Sequence, residues 1–133
     1  MKIILTVLCI SFFSILHMSG QEKKWLDANG NLTTKEKAVY YTFFSTDKNK
    51  GQLVTEYYIS GKKAKEFYFE ENKKDGKYAA FYATGEVKVI GAFEEGFRAG
   101  MWKTYDKNGN IKEKGKYDKG EKVGVWKTFY KNN

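Results

Sequence analysis

Sliding the sequence by 24 residues lays Gly76, Gly100 and Gly124 on one another, together with Tyr78, Trp102 and Trp126, and then Phe81, Tyr105 and Phe129. The register continues through Gly85 and Gly109, Val87 and Ile111, Gly91 and Gly115, Phe93 and Tyr117, and Gly96 and Gly120. A weaker copy starts upstream at Gln52, where Tyr57, Gly61, Phe67 and Phe69 keep the pattern and Asn72 stands in place of Gly96 and Gly120. A fixed period of this kind means one supersecondary unit stacked on copies of itself, since no single unit can bury its own apolar face.

Within the unit, Asn108-Gly109 separates two runs of alternating, ring-rich sequence, which is the strongest short-range signal for a β-hairpin. Two registers are open. A two-residue turn on Asn108-Gly109 sets Trp102 opposite Gly115 and Tyr78 opposite Gly91, each ring covering the glycine across from it. A three-residue loop ending at Gly109 pairs Tyr105 with Ile111 and turns Trp102 to the other face. The expected fold is all-β: a single elongated antiparallel meander of repeated hairpins, preceded by one short helical turn. Gly76, Gly85, Gly91, Gly100, Gly109, Gly115 and Gly124 are expected to be structural.

The spacing Gly-x-aromatic-x-x-Gly-x-x-x-Gly-x-Trp, present as Gly91 to Trp102 and again as Gly115 to Trp126, resembles the bacterial MORN-repeat variant, and Phe67 to Tyr78 is a degraded copy. Tyr105 to Ile111 fits the turn that follows in that family. The resemblance covers residues 52–133 and implies a hairpin sheet with no catalytic residues. Some relatives are labelled antitoxin components of toxin-antitoxin systems.

Residues 1–20 carry Lys2 as their only charge, ahead of an apolar run from Ile3 to Leu16 and the small pair Ser19 and Gly20. That pattern is a secretory signal peptide, with cleavage expected just before Gln21, and the run is short for a membrane span. Cys9 and His17 are the only cysteine and histidine, so the mature chain has no disulfide, no ordinary zinc site, and no Cys/His or Ser/His nucleophile. Of the 23 aromatic residues all but Phe12 and Phe13 lie downstream, with no proline anywhere, which argues for sheets tiled by rings and against a helical bundle.

Residues 21–51 form a cap and 52–133 the repeat sheet. Trp25 to Leu32 matches the hairpin spacing of the repeats, Thr33 to Glu36 has capping-box spacing for one helical turn, and Val39 to Phe44 is a strand followed by a loop from Asp47 to Gly51. Further strands are expected at 53–59, 64–70, 77–83, 87–94, 101–106, 111–117 and 125–130.

Asp27-x-Asn29-x-Asn31 and Asp106-x-Asn108-x-Asn110 open like calcium loops but place Leu32 and Ile111 at the sixth position and Ala38 and Tyr117 at the twelfth, so turn chemistry explains them. Glu70-Glu71 and Glu94-Glu95 are adjacent on strands and point to opposite faces, unlike a converging carboxylate pair. The net charge is +8, with Arg98 the only arginine. Specific nucleic-acid recognition leans on arginine, so the lysines are expected to make a solvated face with weak contact to anionic lipid or glycan. No enzyme activity, cofactor or metal is expected. The function expected is that of an exported, non-enzymatic binding or scaffolding module for a protein or envelope component. Antitoxin-like neutralisation and cell-wall or choline binding are the alternatives. Binding is expected on a repeated face carrying Tyr78, Trp102, Tyr105, Lys112, Lys114 and Trp126.

Overall fold

A computed structural model describes residues 22–130; the signal peptide expected over residues 1–20 lies outside them. The described chain forms one open sheet of nine antiparallel strands in sequence order. These are β1 (Lys24–Leu26), β2 (Tyr40–Asp47), β3 (Gly51–Tyr58), β4 (Lys63–Glu70), β5 (Lys73–Phe81), β6 (Val87–Glu94), β7 (Phe97–Tyr105), β8 (Ile111–Asp118) and β9 (Glu121–Thr128). The helical turn is a three-residue 3-10 turn, Lys35–Lys37, which no side chain caps. The Thr34 hydroxyl instead bonds the Glu36 carboxylate, which that bond and the Glu36 backbone N–H hold below its ordinary range.

Two kinds of turn alternate along the meander. At one end of the strands a five-residue loop recurs as Asp27–Asn31, Tyr58–Lys62, Tyr82–Glu86 and Asp106–Asn110. In each loop the first N–H donates to the fifth carbonyl, and the N–H of the glycine at the fourth position donates to the first carbonyl, all at 2.8–3.1 Å. In the first and last loops the aspartate carboxylate also accepts from the backbone N–H groups two and four residues on. This is the turn chemistry expected of the two calcium-like sequences. Both candidate registers are realised in the Asp106 hairpin: Trp102 faces Gly115 and Tyr105 faces Ile111, with a bulge between them.

At the other end β2 and β3 are joined by residues 48–50, and the later pairs by two-residue turns in which both residues have positive φ: Glu71 and Asn72 (47° and 62°), Glu95 and Gly96 (48° and 90°), and Lys119 and Gly120 (46° and 85°). That backbone matches strand twist and calls for glycine or asparagine at its second position. It corrects the strand starts expected at 77, 101 and 125, because β5, β7 and β9 begin about four residues earlier. The residues between Gly96 and Gly100 belong to the strand. There, Gly91 of β6 faces Gly100, Met101 and Trp102 of β7, and Gly115 of β8 faces Gly124 to Trp126 of β9. Gly100 takes a φ of 68° to make this bulge, so its value is conformational.

The sheet has no second layer among the described residues. Its core is one face of the sheet, following the register row Phe44, Val54, Phe67, Tyr78, Gly91. Leu26, Val54, Phe67, Ala80 and Trp102 are buried there.

Candidate functional site

On the buried face, each tryptophan of the repeat lies over the glycine of the strand before it. A methyl group placed on Gly91 would meet the Trp102 ring 2.7 Å from Cε3 and closer still to Cδ2 and Cε2, and Gly115 stands in the same relation to Trp126. The pairing of Trp102 with Gly115 in the ladder therefore does not identify the ring that covers that glycine. The covering ring comes from the next strand, because the two extra bulge residues open a slot that the indole fills. The Trp102 indole N–H donates to the carbonyls of Ala92 (3.1 Å) and Ala99 (3.2 Å), and that of Trp126 donates to Lys116 (3.2 Å). In the degraded repeat Phe67 occupies the glycine position, and Tyr78 stacks on it with ring centroids 6.3 Å apart.

Between the rings runs a series of cations with the same period. Lys74 lies 4.8 Å from the Phe67 centroid, 5.8 Å from Tyr78 and 5.3 Å from Phe93. Arg98 lies 4.7 Å from Trp102 and 5.3 Å from Tyr117, to whose hydroxyl it donates at 3.0 Å. Lys122 sits 4.0 Å from Trp126 and pairs with Glu113 at 3.1 Å. Distances under about 6 Å are attractive for a cation over a ring. Burial, followed by the like charge of Lys65, lowers Lys74 from its ordinary value near 10.5; Glu56 opposes this and Arg98 adds to it. Below the lowered value both folded and unfolded chains carry this proton, and the cost of burying the charge is fully present. As pH rises from there to about 10.5 the unfolded chain holds more protons, so stability is gained. Denaturant melts from neutral pH to about 10.5 are therefore expected to show wild type gaining relative to Lys74→Met; a constant difference between the two would contradict this account.

The opposite face is open and divided. Its register row runs Phe43, Thr55, Glu66, Ala79, Ile90, Lys103, Lys114, Lys127, ending in three lysines side by side. Like charges directly opposite one another destabilise a sheet, and the ion pairs among the described residues lie elsewhere. A shallow groove of about 540 Å³ lies beside this row, lined by Tyr68, Ala79, Ile90 and Met101 among others.

The six residues expected to bind are not gathered on one face. Tyr78, Trp102 and Trp126 stand on the buried face as structural rings, while Lys114 is on the open one, 5.6 Å from the Phe129 ring. The Tyr105 carbonyl accepts the Tyr82 hydroxyl at 2.7 Å, and the Lys112 carbonyl accepts the Phe129 N–H at 2.8 Å. Lys74, Arg98 and Lys122 recur at the 24-residue period, a signal in the sequence that was available for these cations as it was for the rings. Trp25, Tyr41 and Phe43 of the cap cluster on the open face with Tyr57 of β3; of these four rings only Tyr57 falls in register with the repeat. Among the described residues no group of His, Cys, Asp or Glu is arranged to hold a metal.

Compared with known families and with curated proteins, the chain matches no family profile and no curated sequence.

Proposed function

We propose that the protein is a non-enzymatic binding or scaffolding module exported to the cell envelope, where its open face receives a protein or other envelope component. The observation that carries this reading is the open face over β7 to β9, where the sheet turns its tryptophans to the other side and leaves Lys103, Lys114 and Lys127 adjacent. A partner bearing carboxylates or other anions relieves that repulsion, and the apolar groove beside it adds contact area. The spacing shared with the bacterial MORN-repeat variant supports a structural role for the repeat, and the apolar, charge-poor start supports export.

Protein recovered from its native cell is expected to begin near Gln21 by mass spectrometry. Affinity capture from envelope extract is expected to retain a partner that is released as salt rises and is lost when Lys103, Lys114 and Lys127 are all changed to Ala. An intact Met1 on cytoplasmic material, with a toxin as the captured protein, would replace this reading with neutralisation.

A further inference from the structure

We propose that Trp25, Tyr41 and Phe43 form a cage for a quaternary ammonium group of the choline type, and that Lys23 is its tethered occupant. Trp25, Tyr41 and Tyr57 are consecutive partners across β1, β2 and β3. Phe43 lies two residues from Tyr41 on the same face. Their rings hold one another: Trp25 meets Tyr41 edge-on at 5.8 Å, Phe43 meets Tyr41 edge-on at 5.7 Å, and Tyr57 stacks on Tyr41 at 5.2 Å. The Lys23 Nζ sits among them, 4.3 Å from the Tyr41 centroid, 5.1 Å from Trp25 and 5.7 Å from Phe43.

This arrangement differs from Arg98 and Lys122 in its partners, and from all three repeat cations, Lys74 included, in its position. Arg98 and Lys122 also have a hydrogen bond or an ion pair, and all three repeat cations recur within strands. Lys23 is exposed, precedes β1 and stands outside the period, and it takes part in none of the ion pairs among the described residues. The rings are what hold its charge. Ring faces offer no acceptor geometry for the three N–H groups of a lysine ammonium, which is strongly hydrated and loses that water on entering. A trimethylammonium group has no N–H to leave unsatisfied, and its methyls add dispersion contact with the rings, so it suits the cage better than the lysine does. Lys35, 5.9 Å from the outer ring Trp25, places a second positive charge at the rim, which favours a ligand with an anionic group beside the ammonium.

The test is titration of isotope-labelled full chain with choline chloride, reading the Trp25, Trp102 and Trp126 indole N–H signals by NMR. Choline is expected to shift Trp25 saturably and leave Trp102 in place. Lys23→Ala, a change at an exposed residue, is expected to tighten the choline Kd about fivefold, the bias that one exposed cation–π contact imposes. The uncharged isostere 3,3-dimethyl-1-butanol is expected to give no saturable shift, and Tyr41→Leu is expected to lose the choline response. Phosphocholine is expected to bind more tightly than choline in a Lys35-dependent way. Co-flotation with phosphatidylcholine vesicles, if seen alongside choline saturation, makes the source a lipid headgroup; choline saturation without it makes the source a solute. No saturation by choline in Lys23→Ala, an equal response to the isostere, or no tightening in Lys23→Ala overturns the proposal. The site does not depend on the scaffold reading, since choline saturation and partner capture are separate readouts on opposite ends of the open face.

Discussion

Gly91→Val is expected to cost about 3–4 kcal/mol, combining overpacking of a filled site with loss of the indole hydrogen bonds. Trp102 occupies the space the new side chain needs and is 3% exposed, so it cannot swing clear without vacating the core. Gly115→Val meets the same ring geometry, but Trp126 lies on the last described strand and is only half-buried, so its ring has room to leave and the cost is smaller. Gly100→Val, at a φ of 68° with nothing near its missing Cβ, costs about 1–2 kcal/mol from backbone strain alone. Lys103→Ala should stay within about 0.5 kcal/mol. Urea melts of the four variants rank them. A Gly91→Val midpoint equal to that of Lys103→Ala would mean that the ring does not depend on the bare backbone beneath it.

Trp102→Ala should cost about 3–5 kcal/mol, the range for deleting a buried aromatic side chain. The chain also contains its own control. In the degraded repeat, Phe67 and Tyr78 stack where the later repeats have glycine and tryptophan, so the two positions trade volume. Gly91→Phe alone should be severely destabilising, and adding Trp102→Tyr should return part of the loss. The resulting coupling is expected to be about 1–3 kcal/mol, within the range for residues in contact. Additive effects of the two changes would show that the Phe–Tyr stack and the Gly–Trp arrangement are not alternative solutions to one packing problem.

The all-β meander was legible in the sequence because the period, the Asn108-Gly109 signal and the ring content all point the same way. The partner residues Tyr78–Gly91 and Trp102–Gly115 were one of the two registers the spacing allowed, and the bulge that lets Tyr105 also face Ile111 was not legible. The ring that covers each glycine was not, because ladder pairing fixes which Cα atoms face each other and leaves open which neighbouring strand a long side chain leans toward. The Glu95-Gly96 and Lys119-Gly120 turns were hidden by their first residues, as Glu and Lys seldom adopt positive φ. The clue was Asn72 in register with two glycines, since asparagine is the residue that best tolerates that backbone after glycine. The sides on which the candidate binding residues stand were less legible. Recurrence marks Tyr78, Trp102 and Trp126, which the structure packs on the buried face, whereas the cap rings Trp25, Tyr41 and Phe43 near Lys23 occur once and no periodicity marks them.

The contact between tryptophan and glycine always runs in one direction, from the later strand back onto the earlier one. A hairpin is therefore finished only when its successor arrives: β6 has bare backbone at Gly91 until β7 supplies Trp102, and β8 waits in the same way for Trp126 of β9. Since the N-terminal part of a chain is made first, each new repeat closes the one before it, and the sheet assembles as a zipper with a fixed starting end. Of the two described closures the later is the looser, since Trp126 over Gly115 is only half-buried whereas Trp102 over Gly91 is buried.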